Sequence, residues 1–514
     1  MQRSILLLCV LLGACSNDSP SSADAAPDAR IDSGARDGTV VDSAVVDSAL
    51  DAALGDASSA DHTIGDGASP DGASSDAAQA DAGAPRTPFT DRLNWFASIG
   101  FLAEVRDLAA AGNLLYMVGS ADNGSDLHYA RSAQNGQWIG AADYGSSPPS
   151  ALAAVAADSQ AIYVAGFYSG QAALPGTKVT VASKGQRDGF YTKFLPSTTP
   201  TDTKEQWLRR GICAADHSFN DIAVAGATLA VVGQFSQTLE TFLLTGQSGS
   251  TLVAGGSVDG LVVSAKAGDG QLSWARQLGT TGQTVSAERV AIDSQGNIIV
   301  AGRFSGSTVF ETTKLTTRGG ADIFVIKLDA SGKQLWAQAA GGSGNDRVTG
   351  IGVDGSGNVY LAGWSDGDFK PLGGAGWTSA GGDDGWALSL DASGNLRWGQ
   401  PIAGPGDERL RAMAVIGSKV YLGGSFNKQL RLGGDVLTPR GMADALLVGL
   451  DASTGNVVEA EGFGSLKDDT VSAMATTGQA LFIAGQRDDQ ITIRGKTYGA
   501  PFGGGMFFQA SFKP

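Results

Sequence analysis

The residues of this chain that could do chemistry are few and widely separated. His128 and His217 are the only histidines beyond residue 87, and Cys213 is the only cysteine there. None of them stands in a metal-binding or nucleophile motif such as HExxH, CxxC or GxSxG. A lone cysteine of this kind is typically a buried small hydrophobe. The sequence therefore predicts no catalytic residues, no metal and no cofactor.

Two stretches come closest to a ligand site. Asp216 and His217 form a short polar run ahead of a strand-like segment, where an ordinary polar loop is the simpler interpretation. The second stretch concentrates tryptophan and aspartate, at Trp364, Trp377, Trp386, Asp366, Asp368 and Asp383. Exposed tryptophan beside carboxylates suits a sugar or a peptide, although these rings could equally fill gaps between repeats. The candidate ligand-binding residues are Trp364, Trp377, Trp386, Asp366, Asp383 and His217.

The second stretch belongs to a repeated unit whose clearest copy runs from Asp322 to Trp364. Four strand-like runs, DIFVIKL, QLWAQAA, RVTGIGV and NVYLAGW, alternate with turns such as DASGK and DGSGN. A glycine that closes the second strand of each hairpin recurs at intervals of 47 to 69 residues: Gly119, Gly166, Gly233, Gly302, Gly363, Gly424 and Gly485. Seven copies of four strands predict an all-β protein, a seven-bladed β-propeller.

Three further positions keep the same register. The fourth strand carries Trp95, Trp138, Trp207, Trp274, Trp336 and Trp398, with Glu459 in the seventh place. The third strand opens with Asp126, Asp188, Asp259, Asp322, Asp384 and Asp444, with Gly505 as the exception. The first strand holds small residues at Ala109, Ala156, Ala223, Ala291, Gly352, Ala414 and Ala475. Because strands converge near a propeller axis, we expect the first strand to be innermost and the tryptophan strand outermost.

The two ends of the repeat region complement each other. Residues 506–514 look like a third strand without a fourth, and residues 93–100 look like a fourth strand without a third. Pairing them would close the ring and remove the exposed strand edges that favour aggregation. The alternative register, with the tryptophan strand innermost and every blade continuous, also counts to seven.

These units resemble a known family. DIFVIKLDASGKQLWAQAAGGSGND and VTGIGVDGSGNVYLAG look like the bacterial seven-bladed β-propeller repeat, SBBP, and the hairpin part is similar to NHL-type blades. The resemblance is strongest from Asp259 to Gly485. It implies the propeller fold and an exported or surface setting, and the family has no shared catalytic residues to transfer.

The N-terminal region predicts a location. Residues 1–15 combine Arg3, a short apolar run and Leu12-Gly13-Ala14-Cys15, which resembles a bacterial lipobox with Cys15 as the acylated residue. Residues 16–87 have fourteen Asp, three Arg and no aromatic residue, the composition of a disordered tether. We expect a signal peptide (1–15), a tether (16–87) and a propeller (88–514) held at the outer membrane, on its periplasmic face or at the cell surface.

Two classes of function stay open at this level. The first is a monomeric lipoprotein whose propeller binds a carbohydrate or protein ligand without turnover, and which meets the membrane only through its lipid. The second is a propeller enzyme, a hydrolase or lyase with a pocket at the axis. A nucleic-acid partner is not expected, because the chain has a formal net charge of −16 and no basic patch.

Overall fold

The computed structural model describes residues 93–99, 104–120, 127–144, 146–173, 180–195, 204–240, 251–279, 282–487, 490–493, 496–498 and 506–513. Every regular element in these ranges is a β-strand, so the all-β prediction is confirmed. Within them, no helix has the length and hydrophobicity needed to cross a membrane. Cys15, the signal stretch and the tether lie outside the described residues.

The first seventeen strands come from residues 93–278. They are β1 (Leu93–Ile99), β2 (Glu104–Ala111), β3 (Leu114–Ser120), β4 (Leu127–Ala133), β5 (Trp138–Tyr144), β6 (Ser146–Ala157), β7 (Ile162–Ala173), β8 (Thr180–Ala182), β9 (Asp188–Leu195), β10 (Lys204–Arg210), β11 (Ile212–Cys213), β12 (His217–Ala225), β13 (Thr228–Phe235), β14 (Thr238–Glu240), β15 (Thr251–Val253), β16 (Asp259–Lys266) and β17 (Leu272–Leu278).

The remaining strands come from residues 285–512. They are β18 (Val285–Ile292), β19 (Ile298–Phe310), β20 (Thr313–Leu328), β21 (Gln334–Gly342), β22 (Asp346–Val353), β23 (Val359–Ser365), β24 (Phe369–Lys370), β25 (Asp384–Leu390), β26 (Leu396–Ile402), β27 (Glu408–Ile416), β28 (Lys419–Phe426), β29 (Leu430–Leu432), β30 (Asp435–Leu437), β31 (Asp444–Asp451), β32 (Val457–Phe463), β33 (Asp469–Thr476), β34 (Leu481–Arg487), β35 (Ile491–Ile493), β36 (Lys496–Tyr498) and β37 (Met506–Phe512).

Among the described strands, one antiparallel order of four strands recurs from sheet to sheet. We number these sheets along the chain: sheet 1 is β2-β3-β4-β5, sheet 2 is β6-β7-β9-β10, sheet 3 is β12-β13-β16-β17, sheet 4 is β18-β19-β20-β21, sheet 5 is β22-β23-β25-β26, sheet 6 is β27-β28-β31-β32 and sheet 7 is β33-β34-β37-β1. The short strands β8, β14, β15, β24, β29, β30, β35 and β36 lie in the links between second and third strands.

The first strands of successive sheets lie against one another. Contacts run from β2 with β6 through to β27 with β33, and β2 also contacts β33. The predicted small residues are needed there, since a Cβ on Gly352 would lie only 2.7 Å from a methyl carbon of Val415 on the neighbouring first strand. The tryptophan strand forms the opposite edge. The first strands therefore form the edge along which neighbouring sheets meet, which is the position expected of innermost strands.

Sheet 7 joins the two ends of the described chain. Strand β1 pairs antiparallel with β37, from Leu93 opposite Phe512 to Ile99 opposite Phe507. Asn94 donates from Nδ2 to Ser511 Oγ at 3.1 Å. The rings of Phe96 and Phe508 stack with centroids 5.5 Å apart. The predicted pairing of these segments is thus present.

The repeated tryptophans link each sheet to the next one. An indole N–H donates 2.9 to 3.1 Å to a turn carbonyl of the following sheet, in the pairs Trp207–Gly268, Trp274–Ala330, Trp336–Ala392 and Trp398–Ala452. Each ring also covers a glycine with positive φ in that turn, in the pairs Trp207–Gly270, Trp274–Gly332, Trp336–Gly394 and Trp398–Gly455. A Cβ on these glycines would lie 2.6 to 2.9 Å from the ring. These tryptophans are therefore structural, as predicted.

The same contact explains why position 459 in sheet 6 holds a glutamate instead of the repeated tryptophan. The next sheet along is sheet 7, whose third and fourth strands, β37 and β1, come from distant parts of the chain. No hairpin turn connects them, so a tryptophan at position 459 would have no turn to cover. Glu459 instead forms an ion pair with Lys419 at 3.3 Å.

The repeated aspartates hold turns in place. Asp259 accepts backbone N–H groups from Gly255 and Gly256 at 2.8 and 3.2 Å, and Asp384 accepts one from Ala380 at 2.9 Å. Their partners lie three or four residues earlier, in the link that leads into the third strand. Two of them also accept bonds from beyond their own link: Asp188 from Cys213 N at 3.1 Å, and Asp259 from Gln277 Nε2.

Candidate functional site

A cleft opens in sheet 5, where the link between β23 and β25 folds back on the sheet. It is lined by Ser365, Gly367, Phe369, Trp377, Thr378, Ser379, Asp384, Gly385, Trp386, Pro401 and Ala403. The long link predicted from the sequence thus forms one wall of the cleft. Strands β23, β25 and β26 form the floor.

One substitution in the repeat explains the cleft. The last position of the second strand, opposite the strand-opening aspartate, holds a buried aromatic ring in four sheets: Tyr168, Phe235, Phe304 and Phe426. Sheet 5 has Ser365 there, opposite Asp384 and only 1% exposed. A serine occupies far less volume than a phenylalanine, so the link and the sheet do not close over it.

Aromatic rings form the inner wall of the cleft. Phe369 stacks on Trp386 with centroids 4.8 Å apart, and on Trp377 with centroids 5.6 Å apart. The backbones of Phe369 and Trp377 exchange hydrogen bonds of 2.9 and 2.7 Å. These contacts fix the aromatic wall rigidly. The interpretation of all three tryptophans as exposed is wrong for Trp386, which is 1% exposed.

Three polar atoms in residues that line the cleft have no hydrogen-bond partner among the described residues. They are Ser365 Oγ, Asp384 Oδ1 and Trp386 Nε1. Buried polar groups are almost always paired, because leaving one unpaired costs about 1–3 kcal/mol. All three residues line the same cleft.

A buried carboxyl pair lies beside the cleft. Glu408 opens sheet 6 and accepts a 2.6 Å bond from Gly404 N through Oε2, while its Oε1 has no partner among the described residues. Burial raises the pKa of Glu408 to about 7, and the charge of Asp384 adds to this effect. Glu408 therefore stays protonated up to near neutral pH. As a result, the neighbouring carboxyls of Glu408 and Asp384 are not both charged.

The same arrangement occurs between sheets 4 and 5. Asp322 and Asp346 both lie within 3 Å of the point that a Cβ on Gly341 would occupy. Burial raises the pKa of Asp322 to about 6 and that of Asp346 to about 8. An unpaired carboxyl oxygen, such as Asp384 Oδ1, therefore occurs at these junctions in general. The unpaired Ser365 Oγ and Trp386 Nε1 belong to the cleft.

Trp364 and Asp383 meet in a second cluster of side chains. The guanidinium carbons of Arg347 and Arg409 lie 5.2 and 5.5 Å from the Trp364 ring centroid. Arg409 also forms an ion pair with Asp383. Two cations against one indole ring orient it through cation–π contacts. The backbone of Trp364 pairs with Gly385, which lines the cleft.

The other two predicted residues lie elsewhere. Asp366 is exposed and accepts from the backbone and side-chain nitrogens of Asn345 at 2.5 and 3.0 Å. His217 is fully buried at the start of β12, where its Nδ1 accepts from Gly189 N at 3.1 Å. Burial lowers the pKa of His217 to about 4. The imidazole is thus neutral at physiological pH. Cys213 is also buried, as predicted.

A pair of carboxylates that sequence reasoning missed lies on the inner strands. Asp107 on β2 and Asp221 on β12 accept bonds of 2.8 Å from Val155 N and Val290 N of the following sheets. Burial raises the pKa of Asp107 to about 7, with a contribution from the charge of Asp221, and burial raises that of Asp221 to about 6. No group of three or more metal-binding side chains occurs in the described ranges.

Comparisons with known proteins agree with the repeat. The family model described as the SBBP beta-propeller repeat matches residues 273–303 and 335–370. Regulatory protein FlaEY of Caulobacter vibrioides is 25% identical over 259 residues, which are 46% of this chain and 26% of that protein. The chain thus spans about a quarter of the length of this relative.

Solved structures with a similar chain path include a quinohemoprotein alcohol dehydrogenase from Comamonas testosteroni, with 12% identity, a TM-score of 0.39, and coverage of 82% of this chain and 76% of that one. The WD40 β-propeller domain of Doa1 has 10% identity, a TM-score of 0.39, and coverage of 82% and 96%. Likeness at this level carries no argument about activity. Residues 273–303 and 335–370 thus carry the SBBP beta-propeller repeat.

Proposed function

We propose that this protein is a binding module that captures a carbohydrate or protein ligand in the Ser365 cleft without turning it over. The observation that carries the proposal is the coincidence of an aromatic wall with the unpaired polar atoms of Ser365 and Trp386. Apolar pockets with a few convergent polar groups are typical ligand sites. The cleft offers groups that orient a ligand.

The test uses the full-length chain on glycan and protein arrays. Ser365→Phe restores the ring that sheets 3, 4 and 6 carry at this position, so we expect it to fill the cleft and abolish binding without lowering the melting temperature. Trp377→Ala should weaken binding and also cost some stability, because this ring packs on Phe369. A ligand that binds Ser365→Phe as well as it binds the wild type would reject the site.

The described sheets support a closed seven-bladed ring as the scaffold. The support is the chain of contacts between neighbouring first strands, including β2 with β33, and the β1–β37 pairing. A chain ending at Phe502 lacks β37 and exposes two strand edges. Its melting temperature should fall far more than that of a chain trimmed in the tether, and an unchanged midpoint would argue against closure.

The scaffold is proposed to be a monomer anchored at the outer membrane through Cys15 and the tether of residues 16–87. Support comes from the lipobox-like Leu12-Gly13-Ala14-Cys15 and from the Asp-rich composition that follows it. Cys15→Ser should move the mature protein from the membrane fraction to the soluble fraction. Retention in the membrane would remove the lipid-anchor proposal.

The alternative, a hydrolase or lyase acting at the axis, has one observation in its favour. Asp107 and Asp221 lie on inner strands and have pKa values raised to about 7 and 6, a range suited to proton transfer near neutral pH. Turnover of a polysaccharide or peptide that is lost in Asp221→Asn but kept in Ser365→Phe would establish this alternative.

A further inference from the structure

We propose that sheet 5 binds a small cation, of the size and charge of Ca²⁺, between Asp346, Ser365 and Asp384. These residues come from three separate strands, so no metal motif marks them in the sequence. The inference goes beyond the ligand proposed above, because it concerns an ion that stabilises the sheet and not a molecule that the protein recognises.

The three residues lie in one row across the sheet. Asp346 on β22 is opposite Ser365 on β23, and Ser365 is opposite Asp384 on β25. Directly opposite residues on antiparallel strands point to the same face, with Cβ atoms about 4.5–5.5 Å apart. The three residues are 0%, 1% and 6% exposed. The row therefore places two carboxyls and a hydroxyl side by side, away from solvent.

Each member of the row has an oxygen without a hydrogen-bond partner among the described residues: Asp346 Oδ1, Ser365 Oγ and Asp384 Oδ1. The second carboxyl oxygens are held by turns, since Gly342 N and Ala380 N each donate 2.9 Å to Oδ2 of Asp346 and Asp384. The serine hydroxyl bonds to neither neighbouring carboxyl, so a gap separates the three oxygens. Buried polar atoms are almost always paired, so these oxygens call for one group that bridges them.

Sheet 7 shows that a positive charge suits this row. The residue equivalent to Ser365 is Arg487, which is fully buried and directly opposite Asp469 on the first strand. In sheets 3, 4 and 6 a buried phenylalanine takes the same position. Sheet 5 has two carboxyls in the row and neither an arginine nor a ring between them. A bound cation would supply the charge that sheet 7 obtains from its own side chain.

The row continues into both neighbouring sheets as further buried carboxyls. Asp322 of sheet 4 and Asp346 both lie within 3 Å of the point that a Cβ on Gly341 would occupy. Glu408 of sheet 6 is close enough to Asp384 to be affected by its charge. Carboxyls crowded in this way hold protons or take a cation. A proton pairs two oxygens and a water molecule brings no charge, whereas one cation bridges the whole row.

The basic side chains near these carboxyls do not fill this role. Arg318 acts on Asp346 through its charge, and its guanidinium donates 3.2 Å to Gly341 O. Lys428 acts on Glu408 in the same way and donates 3.0 Å to Pro405 O. Both basic residues are exposed, in contrast to Arg487. The buried row thus differs from that of sheet 7 in having no arginine of its own.

The cleft gives an ion of this size a way in. Ser365 and Asp384 line it, and it has room for about one water-sized group. Thr378, which also lines it, is exposed. Carboxylate and hydroxyl oxygens are the ligands that Ca²⁺ takes, at about 2.3–2.6 Å and in flexible geometry, whereas Mg²⁺ demands a near-ideal octahedron and releases its waters reluctantly. The site therefore favours Ca²⁺ over Mg²⁺.

The experiment follows the melting temperature of the full-length protein, stripped with EDTA, as Ca²⁺ is added at constant ionic strength. We expect the midpoint to rise by about 5 °C when Ca²⁺ exceeds its dissociation constant a hundredfold. Mg²⁺ and Na⁺ should have a much smaller effect. Asp346→Asn should abolish the rise, because it removes the charge while it keeps the acceptor for Gly342 N.

Two variants separate the site from general effects on stability. Ser365→Arg gives sheet 5 the arginine that sheet 7 carries, and should make the midpoint independent of Ca²⁺. Asp444→Asn changes the strand-opening aspartate of sheet 6, where Phe426 fills the middle of the row, and should leave the Ca²⁺ rise intact. Residues 16–87 are the same in every variant, so their aspartates cannot cause a difference.

Tb³⁺ in place of Ca²⁺ gives a measurement that does not depend on stability. Trp377 and Trp386 line the same cleft as Ser365 and Asp384, whereas residues 16–87 have no aromatic residue. Excitation of the indoles should therefore produce Tb³⁺ emission in the wild type, and Ca²⁺ should compete it away. Folded Asp346→Asn should show no such emission.

A wild-type midpoint that does not respond to Ca²⁺ would overturn the inference and assign the row a bridging water only. A rise that survives both Asp346→Asn and Ser365→Arg would also overturn it, since the ion would then bind elsewhere. The glycan and protein arrays test the proposed ligand independently, because they measure binding and not stability. Failure of one proposal is thus distinguishable from failure of the other.

Discussion

Sheets 5 and 6 follow the same plan and differ where it matters for binding. Both open the third strand with a buried aspartate, Asp384 or Asp444. Sheet 6 fills the space beside it with Phe426, whereas sheet 5 leaves a cleft at Ser365. The positions common to both build the sheet and its junctions. Divergence at one buried position thus distinguishes the packed space in sheet 6 from the cleft in sheet 5.

We expect the largest loss of stability when the equivalent space in sheet 6 is emptied. Phe426→Ser removes a fully buried ring from a packed core that includes Leu430 and Leu446. Loss of a large buried side chain costs about 3–5 kcal/mol through lost transfer free energy and cavity formation. We expect urea denaturation to show a loss of about 4 kcal/mol in unfolding free energy.

The reverse substitution is its matched control. Ser365→Phe adds the ring that sheet 6 carries at the equivalent position, so its unfolding free energy should stay within about 1 kcal/mol of the wild type. If Phe426→Ser were as mild as Ser365→Phe, the two positions would not be equivalent, and the origin assigned to the cleft would fail.

Two tryptophans of sheet 5 should separate structure from binding. Trp398 is 8% exposed, donates to Ala452 O at 3.0 Å and covers Gly455, so it joins sheet 5 to sheet 6. We expect Trp398→Ala to cost about 3 kcal/mol, measured by thermal denaturation, without a selective effect on ligand. Trp377→Ala should cost less stability and reduce ligand binding. The reverse order of stability losses would place the structural contact at Trp377.

The smallest expected effect is on the pH dependence of stability, which involves the proton on Glu408 at the junction of sheets 5 and 6. Because burial raises its pKa in the folded state to about 7, Glu408 contributes stability that is fully present below pH 4.5 and lost as the pH rises to about 7. Glu408→Gln keeps the acceptor for Gly404 N and should flatten this slope by at most about 1.4 kcal/mol per pH unit. Denaturation midpoints at pH 5, 6 and 7 measure it.

Glu311 is a suitable control for the pH series. A hydrogen bond from Arg276 lowers its pKa below the usual value, so its contribution is lost only as the pH falls into the acidic range. Glu311→Gln should leave the slope between pH 5 and 7 unchanged. An equal flattening in both variants would mean that the slope does not arise from Glu408.

Much of the architecture could be predicted from the sequence because it depends on local repetition. The turns starting at Asp293, Asp354 and Asp391 each accept backbone N–H groups two and four residues later, as expected of tight hairpins. The order of strands and the innermost position of the first strand follow from the same periodicity. Turn hydrogen bonds and steric crowding require the same residue types in each copy, so a repeated sequence reveals them.

The site was only partly predictable. The stretch around Trp377 and Trp386 was identified through its tryptophans, yet the feature that creates the cleft is a serine. Its signal was present two residues after the strand-closing glycine, where sheets 4 and 6 have Phe304 and Phe426 and sheet 5 has Ser365. The Asp107–Asp221 pair left no such signal, because it depends on which inner strands face each other in space.

The β1–β37 pairing has a consequence for how the molecule is made. Asn94 and Ser511, which bond across it, are 417 residues apart in sequence. Contacts of such long range form late, since a large loop must be closed before they contribute any stability. Until then β1 and the second strand of sheet 7, β34, each present an open edge. A second molecule in the same unfinished state could supply β37 in trans, so crowding of unfinished chains would favour strand-exchanged dimers, and spacing between nascent chains would favour monomers.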